Sequence, residues 1–338
     1  MKPREIVLEA IHHRQPPATP YTLGFEGGVD RQLDAYYGSP EWRKRLTPYM
    51  VSVAAVDTDI RIPLDDAHEL DGYGGIWRVD RAEWHLEKPP LAKPSFDGYD
   101  FPAPEKFFRP EWKAQAKEII AANPDSFILG NLGWGLFERS WNLRGFENLL
   151  VDFVESPDFV AEALDRLMNL YLAFVDYTAD LPIDGILFGD DWGHQQGVIV
   201  GPRRWRQFIK PRWAKVYAAV HAHGKLVLHH SCGSVAEIMP DIIEIGVDVL
   251  ESVQPEAAGM NPYELKKRWG NHITFWGCLG SQSIIPFGAP QQIREEVRRL
   301  RAEMGRGGGF ILAPAKPLQP GTPTENAVAV FEAFTEGG

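Results

Sequence analysis

The sequence predicts an α/β fold, a (β/α)8 TIM barrel made by residues 1–338 as a single domain with a hairpin inserted after the second strand. Three observations predict it. Short apolar runs suited to buried parallel strands alternate with longer amphipathic segments. Eight such runs can be counted, and eight strands with crossover helices favour a barrel over a doubly wound sheet. One segment, Asp66 to Pro104, is rich in Gly, Pro, Trp and acidic residues and breaks the alternation.

Taken in order, the strand candidates are Pro20 to Phe25, Val53 to Ile60, Ser126 to Gly130, Gly185 to Gly189, Lys225 to His230, Val247 to Val253, Ile273 to Gly277 and Gly309 to Ala313. Helical patterns fill most gaps, at Pro157 to Ala179, Pro202 to His223, Val235 to Gly246, Pro262 to Trp269, Pro290 to Gly305 and Thr324 to Phe334. Ser156-Pro157 and Asn261-Pro262 each place a capping residue before a proline that the first helical turn tolerates. Gly246 and Gly270 sit where helices commonly stop. Within the irregular segment, Gly75 to Val79 and Glu83 to Leu86 read as the hairpin. Inserted βα loops lie at the carboxyl end of barrel strands, where active sites are built.

Composition narrows the function classes. With 44% hydrophobic and 24% charged residues, the chain reads as a soluble globular protein with a large core. A net charge of -11 repels phosphate backbones and anionic lipid surfaces. The one basic run, Arg203, Arg204, Arg206, Lys210 and Arg212, is interleaved with Trp205, Phe208 and Trp213 and reads as a solvated helix face with snorkelling side chains. No nucleic-acid or membrane partner is therefore expected. Met1 to Arg14 lacks the apolar core of a signal peptide, so cytoplasm is the expected location. The only cysteines, Cys232 and Cys278, are too few for a disulfide scaffold.

The most informative stretch is Leu226 to Gly233, an apolar strand ending in His230-Ser231-Cys232-Gly233. Side chains at i and i+2 of a strand share a side, so His230 and Cys232 can converge beyond the strand's end. Cys278 lies at the end of another candidate strand. Imidazole plus two thiolates suits zinc, and three protein ligands with a carboxylate or an open position make a catalytic arrangement. The competing reading has the cysteines filling apolar space and the histidine satisfied by backbone. Asp190 and Asp191 also follow an apolar strand, with His194, Gln195 and Gln196 close behind. At least one carboxylate is expected in the barrel mouth as a substrate-facing catalytic group, against the alternative of a helix cap or turn. Phe25, Glu26, Asn131, Trp134 and Lys316 follow other strands and are candidate substrate-lining residues.

From about Gly185 to Phe334 the chain resembles the uroporphyrinogen-decarboxylase-like superfamily, which includes zinc-dependent methyltransferases acting with corrinoid proteins. Four stretches carry the resemblance: Phe188 to Gly193; His230 to Gly233; Asp248 to Leu250 with Gln254 to Ala257; and Gly307 to Pro314 with Pro323 to Asn326. For the methyltransferase branch it implies zinc held by His230, Cys232 and Cys278. Related enzymes that use no corrinoid supply a glutamate from the intervening strand. Glu251 is the nearest carboxylate here, as fourth ligand or as a partner of the ligands, with Gln254 or water as alternatives. Uroporphyrinogen decarboxylases carry an arginine-rich motif near the N-terminus; Leu23 to Gly28 has a glutamate and an aromatic in its place, which would repel a polycarboxylate. The resemblance thus implies a zinc methyltransferase moving a methyl group between a corrinoid protein or O-methyl compound and a thiol or similar acceptor. The alternatives are a lyase or decarboxylase on a smaller acid, and a non-catalytic barrel that binds a small ligand.

Overall fold

In the computed structural model, which describes residues 1–81 and 84–336, seven parallel strands make one sheet. In chain order they are β1 (Met50–Val53), β2 (Phe127–Trp134), β3 (Gly185–Gly189), β4 (Leu226–His230), β5 (Val249–Val253), β6 (Thr274–Leu279) and β7 (Phe310–Pro314). Each pairs with its neighbour in sequence. Buried on both faces, these strands read as near-continuous apolar runs.

The sheet curls, but its ends do not meet in a ladder. Pro20 to Phe25, expected as a full strand, docks through two isolated bridges, Tyr21 with Leu312 on the β7 edge and Phe25 with Leu318 in the segment after it. Among the described residues no ladder joins it to β1. Pro20 has no amide hydrogen to give, and Gly24 adds no side chain to pack, so this run is a weak strand. Across the opening, the Thr47 amide donates to the Tyr21 hydroxyl at 2.9 Å. Among the described residues the α/β class therefore takes the form of a curled seven-stranded parallel sheet with an eighth segment at its edge. The predicted strand Val53 to Ile60 is also displaced: pairing covers Met50–Val53 and ends before the polar Asp57-Thr58-Asp59.

After β1 the chain builds a separate four-stranded antiparallel sheet from Arg61–Pro63, His68–Asp71, Ile76–Arg78 and His85–Lys88. The expected hairpin falls on its last two strands, and Glu83 of that hairpin lies outside the described residues. Asp71 organises the central turn by accepting from the amides of Tyr73 (2.8 Å) and Gly75 (2.7 Å) and from the Trp77 indole (2.8 Å). Trp77 then packs against Trp134 on β2, with ring centres 6.1 Å apart. The insertion thereby braces one wall of the mouth.

Helices cover the outside of the sheet. Pro157–Ala179 buries Val160, Leu164, Leu167, Tyr171, Phe174 and Thr178, a stripe spaced by three and four residues. Pro262–Trp269 starts as the sequence indicates, with the Asn261 side chain accepting from the amides of Tyr263 and Glu264. The basic run on the helical segment Pro202 to Ala222 is largely ion-paired: Arg206 and Lys210 to Asp241, Lys210 also to Glu244, and Arg212 to Asp165. No helix among the described residues is long and apolar enough to cross a membrane.

Candidate metal centre

Parallel pairing places His230 of β4 directly beside Glu251 of β5, and Glu251 beside Trp276 of β6. Neighbouring strands lie about 4.8 Å apart, close enough for side chains on one face to touch. Alternation sends His229 the other way. It is buried against Trp192 in a stack of 4.0 Å and bonds the Tyr217 hydroxyl at 2.6 Å. His230 turns to the cavity, with its Nδ1 on the Glu251 carboxylate. Its Nε2 lies 3.3 Å from Cys232 Sγ and 3.5 Å from Asp191 Oδ1.

Two glycines make this convergence possible. Gly193 and Gly233 let the loops after β3 and β4 press backbone to backbone; a Cβ on Gly233 would stand 2.5 Å from the Gly193 carbonyl carbon, and one on Gly193 would stand 2.7 Å from the Cys232 oxygen. Gly233 also holds a φ of +72°, which L side chains avoid. The close approach brings Asp191 to the Cys232 amide, which donates to its Oδ1 at 2.7 Å. Donor atoms of Asp191, His230 and Cys232 all lie within 4.8 Å of one another.

Oxygen, imidazole nitrogen and thiol sulfur in one cluster form a mixed donor set of the kind that suits zinc. Glu251, on the far ring nitrogen of His230, is placed as the partner that fixes tautomer and ring direction. Gln254 is engaged elsewhere, accepting from the Gly233 amide at 3.2 Å. Burial alone would lower the pKa of His230, but Glu251, Asp191 and Cys232 raise it well above its ordinary value. For Asp191, burial works upward and is outweighed by His230 and the Cys232 amide, which hold the carboxyl below its usual range.

The predicted ligand Cys278 does not join this group. It is buried, and its thiol is raised first by burial and then by Glu296, with Lys266 opposing; both of these residues sit on outer helices. The physical reason lies in the strand. Gly277 has a φ of +121° and Cys278 a φ of +77°, and the β5–β6 register shifts between Glu251 and Val253. Two-residue alternation is lost there, and the side chain expected inside is turned to the helical layer.

Of the aspartate pair, at least one of which is expected in the mouth, Asp190 is the one turned away from it. It is fully buried and accepts four hydrogen bonds, from the amides of Phe137 (3.1 Å) and Glu138 (2.9 Å) and the indoles of Trp192 and Trp213 (both 2.8 Å). Its carboxylate therefore caps the helix Leu136–Arg144 rather than facing substrate. His194 and Gln195 are also moved out of the site. Both are exposed on the outer rim, where the Gln196 amide meets His194 Nδ1 at 3.3 Å and the Gln195 side chain donates to Gln282 at 2.9 Å.

The cluster opens on a cavity of about 360 Å³ whose wall includes Asn131, Trp134, Glu138, Asp191, His230, Glu251 and Lys316. Asn131, Trp134 and Lys316 lie on this wall. Phe25 instead packs edge-on against Trp42 at 5.3 Å, and Glu26 lies 3.5 Å from the Gln319 amide. Glu138 was missed. Nothing in Leu136-Phe137-Glu138-Arg139 separates it from an ordinary helix glutamate; only the buried Asp190, which pins its amide, reveals its position. Burial, then the nearby charges of Asp190 and Asp191, push the Glu138 carboxyl up to about 8. A second cavity of about 400 Å³ follows the open seam, lined by Tyr21, Thr22, Tyr49, Met50 and Trp276, and it shares Glu251 with the first.

A curled parallel sheet with a candidate metal cluster at its carboxyl edge defines an α/β protein of the kind that places its chemistry on the loops after the strands. The uroporphyrinogen decarboxylase (URO-D) family matches residues 138–337, and the chain belongs to that family. Among curated relatives it is similar to the methylcobamide:CoM methyltransferase MtaA of Methanosarcina barkeri, 26% identical over 214 residues, covering 63% of this chain and 59% of the relative. It is also similar to the uroporphyrinogen decarboxylase of Saccharophagus degradans, 22% identical over 199 residues, covering 57% of this chain and 52% of the relative. The chain thus spans somewhat more than half the length of these relatives. In fold it matches a methyltransferase from Methanosarcina mazei, with a TM-score of 0.71 and 20% identity over 99% of both chains.

Proposed function

We propose that this chain is a zinc-dependent methyltransferase of the URO-D family, moving a methyl group from a corrinoid protein or an O-methyl compound to a thiol or similar acceptor. One observation carries the reading: Asp191, His230 and Cys232 present three convergent donors, with Glu251 on the far side of the imidazole. The resemblance to a methylcobamide:CoM methyltransferase supports the same reaction class. When bound, zinc would supply Lewis acidity, making a thiol proton easier to lose or an ether oxygen a better leaving group.

The chain's own residues do the rest. Glu251 holds Nδ1 of His230 so that Nε2 points into the cluster. The Cys232 amide fixes Asp191 through its hydrogen bond. In the reaction the acceptor's S–H bond is replaced by S–CH3, the donor's bond to methyl breaks, and a proton balances the leaving group. Glu138, with its carboxyl raised to about 8, holds a proton at neutral pH on the wall of the same cavity and is placed to give it to a leaving oxygen. Trp134 and Asn131 supply wall. Metal analysis of protein purified without added metal, followed by methyl transfer from a methylated corrinoid protein and from aryl methyl ethers, tests the reading. About one zinc per chain and transfer to a thiol are expected. Metal-free protein that still turns over uroporphyrinogen would overturn it in favour of the decarboxylase.

A further inference from the structure

The cavity of about 400 Å³ in the open seam lies between the eighth segment and β1, where no ladder closes the sheet among the described residues. Its wall is built largely of rings, those of Tyr21, Tyr49, Trp276, Pro48 and Pro314, with the Met50 thioether among them. Tyr21 and Tyr49 meet edge to face with ring centres 5.2 Å apart, and the Trp276 indole donates to the Thr22 hydroxyl at 2.8 Å, so these faces are fixed in direction. No lysine or arginine lines the cavity. Hydrogen-bonding capacity is left over on the same wall. The Tyr21 hydroxyl accepts from the Thr47 amide at 2.9 Å, and its own hydrogen has no acceptor among the described residues. The eighth segment bonds its neighbour through the Thr22 and Glu26 amides and the Pro20 and Gly24 carbonyls, which leaves both the amide and the carbonyl of Leu23 unpaired among the described residues. Glu251 gives Oε2 to His230, and its Oε1 has no partner among the described residues.

We infer that the seam cavity is a binding site for a single aromatic ring bearing a hydroxyl or ether oxygen, that is, a phenol or an aryl ether. Small-molecule sites are cavities of roughly 300–1,000 Å³ that join an apolar, aromatic wall to a few polar groups fixing orientation, and this cavity has both parts. A flat ring finds the edges and faces of Tyr21, Tyr49 and Trp276. Its oxygen finds donors in the Tyr21 hydroxyl and the Leu23 amide, and a phenolic hydrogen finds acceptors in Glu251 Oε1 and the Leu23 carbonyl. The site stands on the cavity itself and goes beyond the metal-centre reading.

Met50 lines the seam cavity and no methionine lines the metal-side one, so the methionine methyl signals of the full chain, labelled with 13C, report where a ligand sits. Guaiacol should move the Met50 signal saturably and further than any other methionine signal, through the ring current. Its assignment comes from its loss in Met50→Leu. The compound trans-2-methoxycyclohexanol keeps both oxygens and loses the flat ring, and it should bind about fivefold more weakly, the scale of one well-made aromatic contact. Tyr21→Phe should weaken guaiacol by about fivefold, the scale of one hydrogen bond, and leave toluene unchanged. Treating the protein with a chelator should alter none of these results, so failure of the metal-centre reading and failure of this one are told apart. A Met50 signal that stays in place up to the solubility limit of guaiacol overturns the inference, as does equal affinity for the saturated ring. Both of those readings use the unaltered chain and decide the matter even where Tyr21→Phe fails to fold. Equal losses for guaiacol and toluene in a folded Tyr21→Phe would overturn the assignment of an oxygen-bearing ring.

Discussion

Asp190 and Asp191 are adjacent in the chain and their carboxylates serve opposite sides of the sheet's edge. Asp190 looks back into the helical layer, where two amides and two indoles donate to it; Asp191 looks into the cavity, where it meets the Cys232 amide and His230. Three of the four donors on Asp190 reach the same oxygen, Oδ2, and the Glu138 amide reaches Oδ1. Asparagine can keep only one of those oxygens, so Asp190→Asn must turn an NH2 group toward at least one buried donor. Each unsatisfied buried donor costs about 1–3 kcal/mol, and a stability loss of about 2–4 kcal/mol is expected in urea unfolding. Asp191→Asn should leave metal-free stability within about 0.5 kcal/mol, as a partly exposed site allows, and weaken metal binding at least tenfold. Equal stability for the two variants would contradict the division of labour.

Glu251 touches the imidazole nitrogen that does not face the cluster. Removing its charge in Glu251→Gln should therefore reorient His230 without deleting a donor atom from the Asp191, His230 and Cys232 set. Outer partners of this kind typically contribute 10- to 100-fold to metal affinity, and that is the loss expected, measured by competition with a chromogenic chelator. A loss as large as that of His230→Ala would instead make Glu251 a direct ligand.

Much of this site is legible in the sequence, and the illegible part has a common cause. His230 and Cys232 could be placed because strand alternation is a local rule, and it holds through the end of β4. Cys278 could not, because the same rule breaks at Gly277, and a positive φ at the following cysteine leaves no mark in composition. Asp190 and Asp191 look identical in a single chain; the Trp192 and Trp213 indoles that distinguish them arrive from a loop and a helix. The barrel's incomplete closure escaped for a related reason: Pro20 to Phe25 has apolar residues enough for a strand, but whether it pairs on both edges is decided by its neighbours.

At the opposite end of β4, His221 Nε2 bonds Asp248 Oδ2 at 2.9 Å, and the same oxygen accepts the Val227 amide at 2.7 Å. The hydrogen bond to Asp248 raises the pKa of His221, with burial opposing. A histidine whose folded pKa is raised adds stability that is fully present below its unfolded value of about 6.5 and is lost as pH rises through the folded value. The wild type should accordingly exceed His221→Gln most near pH 6, by on the order of 0.5 kcal/mol for a partly exposed pair. That margin should shrink toward pH 9. A margin independent of pH would mean that packing, not charge, holds this contact.

The last prediction separates the two cysteines. Cys232 lies in the donor cluster, so Cys232→Ala removes one of three ligands and should lower zinc affinity by 100-fold or more, read as zinc retained after dialysis against a chelator. Cys278, turned to the layer that holds Lys266 and Glu296, should tolerate Cys278→Ala with zinc retained within about twofold of wild type. The cost should fall on stability: a buried thiol replaced by a methyl group leaves a small void, for which about 1 kcal/mol is a fair expectation. Thiol labelling provides an independent reading. In native metal-free protein Cys232 should react readily and Cys278 only on unfolding, since the first is half-buried and the second is sealed. Loss of zinc from both variants would show that the Gly277-Cys278 backbone turns when metal binds, carrying the second thiol from the helical layer into the cluster and making it a ligand after all.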